Sequence, residues 1–160
     1  MNSKKRRTKK NFSRNARPRR FMSQPQSVRF QHALQAERSG RVSIAETEYR
    51  ALLADGARIP ELYCGLARIC VQSGRTAEPL KLWKNALAID PDFPEAAVNL
   101  ANHYQQTGKA QEAASLYRRV IANHPEQVAA KYLLGNLLKA QGKIDKAEVI
   151  YRQIMTQQPD

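Results

Sequence analysis

Small, aromatic and polar side chains recur along this chain at a constant interval, and a glycine marks each period. From about Val28 the apolar positions follow helical spacing on both sides of each glycine. We therefore expect each period to form a first helix, called helix A, then a turn at the glycine, then an antiparallel helix B. The evenly spaced glycines that set this register are Gly40, Gly74, Gly108 and Gly142.

Two further kinds of residue keep the same register. A small residue stands seven positions before each glycine, and a large aromatic residue stands nine positions after it. Because two helices approach closely only where one presents a small side chain, we expect the aromatic ring of helix B to pack beside the small residue of helix A. The small residues are Ala33, Ala67, Ala101 and Gly135, and the aromatic residues are Tyr49, Trp83, Tyr117 and Tyr151.

The sequence also predicts where these helices begin and end. A glycine after helix A adopts a left-handed conformation at little cost. Pro60 and Pro94 suit the first position of the next helix A, where the missing N–H is not needed. Pro79 follows Thr76, which can serve as the N-cap of helix B, so the proline falls in a first turn that tolerates it.

This order of small, aromatic and proline positions resembles the tetratricopeptide repeat, whose pattern runs Trp-x2-Leu-Gly-x2-Tyr, then Ala-x3-Phe, then Pro. The third period carries the pattern in Ala97, Leu100, Ala101, Tyr104, Ala113, Tyr117 and Pro125. The stretch Ile89–Gly108 is also similar to the repeats of O-linked N-acetylglucosamine transferases, with Asn99 at the position of their asparagine ladder. The resemblance implies an all-α fold, a right-handed α-solenoid of four antiparallel helix hairpins, with repeats at about 27–59, 60–93, 94–127 and 128–160.

Members of this family bind partners on the concave face that the A helices line. The resemblance therefore implies a non-enzymatic scaffold that holds a peptide or a partner protein in this groove. Its polar positions are rich in amides, which can hydrogen-bond the backbone of an extended peptide. The candidate partner-binding residues are Arg68, Asn99, Asn102, Gln105, Tyr132, Asn136 and Lys139.

Residues 1–26 differ from the repeats in charge. Eleven of the 27 Lys and Arg lie within residues 1–30, where none of the 14 acidic residues occurs, so positions 31–160 carry 16 basic and 14 acidic side chains. High charge with few apolar groups predicts a disordered basic tail. Such a tail binds nucleic acid or the ribosome through phosphates, directs nuclear import in a eukaryote, or is only a solvated extension. The candidate polyanion-binding residues are Lys4, Lys5, Arg6, Arg7, Lys9, Lys10, Arg19 and Arg20.

Other function classes find little support in the sequence. No nucleophile stands at a usable spacing from a base, no glycine-rich phosphate loop occurs, and no His or Cys pair has metal-binding spacing. We therefore expect no enzyme activity, no cofactor and no metal within these 160 residues. The alternative from another class is that the repeats form the N-terminal, substrate-recruiting region of a larger transferase.

The two cysteines are expected to be reduced. Cys64 and Cys70 lie six positions apart on one predicted helix. That spacing corresponds to about 9 Å along the axis, which exceeds the roughly 7 Å that a disulfide allows between Cα atoms. We place Cys70 in the core and Cys64 on the open face. Reduced thiols favour a cytoplasmic location, or the nucleus in a eukaryote, and no apolar run approaches the roughly 18 residues that span a membrane.

The last helix B carries Ile150, Ile154 and Met155 on a face that no later repeat covers within residues 1–160. Repeat arrays generally end in a polar cap. We therefore expect that the chain continues in a longer protein, that it self-associates end to end through this helix, or that the helix frays.

Overall fold

The computed structural model describes residues 22–157, and these form eight α-helices in an antiparallel array. The A helices are α1 (Gln24–Arg38), α3 (Pro60–Gln72), α5 (Pro94–Gln106) and α7 (Val128–Ala140). The B helices are α2 (Val42–Ala54), α4 (Ala77–Ile89), α6 (Ala110–Asn123) and α8 (Ile144–Gln157). Each helix packs on its neighbours in sequence, and α3 also touches α5. The predicted α-solenoid of four helix hairpins is confirmed.

The turn between helix A and helix B is the same in all four repeats. The register glycines have φ between +70° and +77°, the left-handed region that glycine adopts most readily. The next residue donates its N–H back to helix A, as from Arg41 to the carbonyl of Ala36 and from Lys109 to that of Tyr104. These bonds satisfy carbonyls that the end of helix A leaves without partners, so the glycine both ends the helix and sets the reversal.

The predicted helix starts are confirmed for Pro60 and Pro94, which occupy the first positions of α3 and α5. The first helix begins earlier than the predicted boundary at residue 27. Ser23 accepts a hydrogen bond from the backbone of Gln26, and the Gln26 side chain accepts one from the backbone of Ser23. This capping box starts α1 at Gln24.

Helix α4 begins where the sequence predicts, but the predicted N-cap hydrogen bond is not formed. Thr76 occupies the N-cap position, yet its side chain makes no capping hydrogen bond. Pro79 lies in the first turn and is buried. Its ring therefore contributes to the core at a place where a missing N–H costs no helical hydrogen bond.

The core is built from the aromatic and small residues that the sequence pairs. Tyr49 and Tyr117 are fully buried, Trp83 is 8% exposed, and the small residue before each glycine is buried in every repeat. Tyr151 differs, since it is only half-buried. It lies on α8, the last helix that the structure describes, so no following helix A packs over it there.

One prediction about the cysteines is wrong. Cys64 does not lie on the open face, because its side chain is 1% exposed. The reason is that α3 contacts α2, α4 and α5, so that little of its surface remains uncovered. Both thiols are free. Burial raises the pKa of the Cys64 thiol, and burial together with the Glu78 carboxylate raises the pKa of Cys70 to about 11, so both thiols stay protonated.

Gly65 of α3 gives a test of this packing. A Cβ atom at this position would lie 2.8 Å from Cζ of Tyr49, whose ring is fully buried. We expect Gly65→Ala to lower the free energy of unfolding by about 1–3 kcal/mol in urea denaturation, despite the better helix propensity of alanine.

Gly135→Ala is the matched control for this substitution. Its Cβ atom would approach Tyr151 to 2.6 Å, but that half-buried ring can turn aside. We therefore expect a smaller loss for Gly135→Ala. A loss for Gly65→Ala no greater than that of the control would contradict the packing described for Tyr49.

Candidate functional site

The sequence-predicted groove residues all lie on A helices. Arg68 lies on α3, and the remainder are divided between α5 and α7. The α5 residues are Asn99, Asn102 and Gln105, and the α7 residues are Tyr132, Asn136 and Lys139. The surface that the A helices present, on which these residues are predicted to lie, is called the concave face below.

Two of the asparagines are held by tyrosines of helix B. The Tyr117 hydroxyl donates to Oδ1 of Asn102 at 2.5 Å, with Oε1 of Gln105 at 3.3 Å, and the Tyr151 hydroxyl donates to Oδ1 of Asn136 at 2.7 Å. The amide plane of each asparagine is therefore fixed through its oxygen. The Nδ2 group, which carries two donors, makes no hydrogen bond within residues 22–157 and remains for another acceptor.

In the first repeat the tyrosine hydroxyl has a different hydrogen-bond acceptor. Leu34 stands at the position that Asn102 and Asn136 occupy in later repeats. The Tyr49 hydroxyl instead donates to Oε2 of Glu37 at 2.8 Å, one helical turn further along α1. The amide donors of the later repeats are thus replaced by a carboxylate at this end of the concave face.

Arg68 stands at the same position in the second repeat, where the aromatic partner is Trp83 and no hydroxyl is present. Its guanidinium bonds Oε1 of Glu37 on α1 and Oε1 of Glu95 on α5, each at 2.5 Å. Burial opposes ionisation of Glu37, but hydrogen bonds from Arg68 and Tyr49 lower its pKa overall. The predicted binding residue Arg68 therefore ties three A helices together and has its charge compensated by the two carboxylates.

A cleft of about 280 Å³ opens on the concave face between the second and third repeats. Its wall includes the side chains of Val71, Trp83, Asn99, Asn102 and His103. The rings of Trp83 and His103 lie with centroids 6.4 Å apart. The cleft therefore offers an apolar and aromatic surface beside amide donors.

Two residues of the cleft, His103 and Trp83, are not among the predicted groove residues. Trp83 is buried in the core, as its register predicts, but part of its side chain also borders the cleft. His103 stands five positions before Gly108. A polar residue at that position of helix A is the signal that could have indicated it.

The fourth repeat contributes an exposed aromatic ring and a cation. Tyr132 is 56% exposed, and its ring centroid lies 6.3 Å from that of Tyr151. Lys139 is exposed one turn beyond Asn136 on α7. Together with the fixed amide of Asn136 they form the other end of the polar concave surface.

The basic tail lies outside the residues that the structure describes. Its role in nucleic-acid or ribosome binding, and the role of the repeats in a larger transferase, therefore stay predictions. Between residues 22 and 157, no group of three or more His, Cys, Asp or Glu side chains is arranged to hold a metal ion. None of the eight helices described there is long and apolar enough to cross a membrane.

Two family models match the chain over its repeats. Residues 106–160 match a tetratricopeptide repeat model, and residues 67–108 match a second model described as a TPR repeat. The chain belongs to the tetratricopeptide repeat family. The resemblance read from the glycine register is thereby confirmed, and this family is generally a non-catalytic interaction module. No curated protein matches the chain at a significant level.

Solved structures share the fold at low sequence identity. The crystal structure of MamA has a TM-score of 0.68 and 21% identity, covering 79% of this chain and 74% of that one. A tetratricopeptide repeat protein from Parabacteroides merdae has a TM-score of 0.73 and 21% identity, covering 84% of this chain and 54% of that one. YrrB, described as a TPR protein with an unusual peptide-binding site, has a TM-score of 0.68 and 18% identity, covering 84% of this chain and 70% of that one. At such identities the likeness shows the fold alone.

The Arg68 ion pairs give a prediction about stability and pH. In the folded chain the pKa of Glu37 lies below its ordinary value of 4.5. Ionised Glu37 therefore stabilises the fold above that pH, and its contribution is lost as the pH falls below 4.5 towards the folded pKa. We expect Arg68→Met to lower the free energy of unfolding at neutral pH by about 1–2 kcal/mol and to flatten its decline below pH 4.5.

Urea denaturation at neutral and acidic pH measures both effects. Arg152→Met is the matched control, because the Arg152–Glu148 pair is exposed and contributes little to stability. Identical pH profiles for Arg68→Met and the unaltered chain would contradict the role assigned to Glu37.

Proposed function

We propose that this chain is a non-enzymatic scaffold that binds an extended peptide segment of a partner protein along α5 and α7. The observation that carries the proposal is the pair of hydrogen bonds from Tyr117 to Asn102 and from Tyr151 to Asn136. Both asparagines are fixed in orientation before a partner arrives, which lowers the entropy cost of binding.

The fixed amides suit the backbone of a peptide. Their Nδ2 donors stand one repeat apart and can each bond a peptide carbonyl without regard to side-chain identity. Selectivity then comes from the neighbouring surfaces. The cleft beside Trp83 accepts an apolar or aromatic side chain, and Tyr132 offers an exposed ring for stacking at the other end.

The same reasoning limits the proposed site to the later repeats. Arg68 is compensated by Glu37 and Glu95, and Leu34 replaces the asparagine on α1. The first half of the concave face therefore serves to hold the A helices together. The fold likeness to YrrB, whose description names a peptide-binding site, supports peptide binding as the general mode.

Replacing Asn102 and Asn136 by aspartate separates binding from folding. A carboxylate oxygen still accepts the tyrosine hydroxyl, but the amide donors are lost and a negative charge faces the peptide carbonyl. We expect the double variant to keep its stability within about 0.5 kcal/mol and to lose the partners that the unaltered chain captures from a nuclease-treated lysate.

Asn85→Asp is the matched control, since it makes the same chemical change on an exposed position of α4. Equal capture by the Asn102→Asp, Asn136→Asp variant and the unaltered chain would refute the proposed site. Partners that nuclease removes, and that a chain without the basic tail does not capture, would support nucleic-acid binding by the tail instead.

A further inference from the structure

The B helices carry a second set of repeated positions on the opposite side of the solenoid. Each pair of consecutive B helices encloses a groove with a helix A at its floor. In the groove between α2 and α4, Nη2 of Arg50 lies 2.8 Å from Oε1 of Glu78 and 2.8 Å from Oε1 of Glu46. The Arg50–Glu78 pair spans the groove and links the two B helices.

The two positions of this ion pair can be followed along the chain, since each has an equivalent one period later. In the groove between α4 and α6 they are Lys84 and Glu112, again of opposite charge. This second groove also holds Tyr104 at its floor and Ser115 at its edge. This groove has a volume of about 380 Å³, and its wall is partly polar.

The third groove, between α6 and α8, has two positive charges at these positions instead of a pair of opposite charges. The equivalent positions are Arg118 and Lys146, so that two cations stand where the first groove has an ion pair. Both side chains are exposed, and neither forms an ion pair with another residue in the range 22–157. Like charges cannot form an ion pair across the groove, whose volume of about 420 Å³ is similar to that of the second groove.

The wall of the third groove is also more apolar than that of the second groove. Leu138 stands where the second groove has Tyr104, and Val149, which is 54% exposed, stands where it has Ser115. Ile121 and Ile150 complete the apolar surface. The structure thus combines an uncovered apolar groove with two uncompensated cations at its rim.

We propose that the α6–α8 groove is a second docking site, and that its occupant is an acidic, apolar peptide segment of a partner protein. An Asp or Glu of the partner lies between Arg118 and Lys146, where it supplies the charge that Glu78 supplies in the first groove. One or two apolar side chains of the partner cover Val149 and Leu138.

The charge of the groove selects among occupants. Every charged residue at positions 1–21 of this chain is Lys or Arg, so the basic tail of the same or another copy is repelled by Arg118 and Lys146. An acidic segment is attracted by the same two cations. The site shares no residue with the proposed concave site, because its wall consists of residues from α6 and α8 together with Leu134 and Leu138 of α7.

Lys146→Glu is the decisive variant. With Glu at position 146, Arg118 can form the same Arg–Glu ion pair that Arg50 and Glu78 form across the first groove. This pair removes the excess positive charge and covers the groove. Because position 146 is exposed, the substitution leaves the core unchanged. A phage-displayed library of random peptides is selected on the full chain and on this variant. We expect peptides with Asp or Glu beside Leu, Ile or Phe to be enriched on the unaltered chain only. A synthetic copy of the best peptide should bind Lys146→Glu roughly tenfold more weakly, by fluorescence anisotropy, and should bind the unaltered chain more weakly at high salt.

Two controls separate this site from the concave face and from misfolding. Lys84→Ala changes the equivalent cation of the second groove and should leave binding unchanged. The Asn102→Asp, Asn136→Asp variant should also bind the peptide normally, whatever the fate of the proposed concave site. Val149→Lys blocks the groove without altering Lys146 and should abolish binding, and circular dichroism melting verifies that each variant is folded.

Three outcomes would overturn the proposal. The first is a library that yields no acidic, apolar peptides on the unaltered chain, and the second is a set of selected peptides that bind Lys146→Glu with equal affinity. The third outcome is a concentration-dependent dimer in sedimentation that Lys146→Glu abolishes, which would identify a second copy of the chain as the occupant.

Discussion

The packing of one aromatic ring of helix B against one small residue of helix A is the contact on which the rest of the molecule depends. It sets how closely the two helices of a hairpin approach, and the glycine turn fixes the register in which they meet. Because the same pair of positions recurs once in every repeat, each hairpin presents equivalent positions to its neighbours. The solenoid follows from stacking units that cannot bury both faces alone.

The same aromatic ring connects the core to the concave face. Where it is a tyrosine, its hydroxyl emerges at the surface of helix A and takes the nearest acceptor, as at Asn102 and Asn136. In the second repeat the aromatic residue is Trp83, which has no hydroxyl group. Arg68, at the equivalent position of helix A, forms ion pairs with Glu37 and Glu95. In the first repeat the Tyr49 hydroxyl bonds Glu37, so the aromatic residue and its helix A partner together decide whether a repeat presents fixed amide donors or an ionic link.

Differences among equivalent positions give each part of the solenoid its own chemistry. The first two repeats use charge to hold helices together, on the concave face through Arg68 and on the other side through Arg50. The later repeats keep the helical packing but lose these links, since Lys146 replaces the acidic residue of the Arg50 pair. Exposed amides, apolar groove walls and uncompensated cations are therefore concentrated in the later half of the array.

The sequence by itself determined the helices, the turns between them and the burial of Tyr49, Trp83 and Tyr117, because these depend on a local register that each repeat renews. It also predicts which A-helix positions line the concave face, and this assignment stays a prediction. Only the tertiary structure decided that Cys64 is buried, that Arg68 is compensated, and that Arg118 and Lys146 share a groove. These outcomes depend on contacts between residues about one repeat apart, and which side chains meet there is set by how neighbouring hairpins stack.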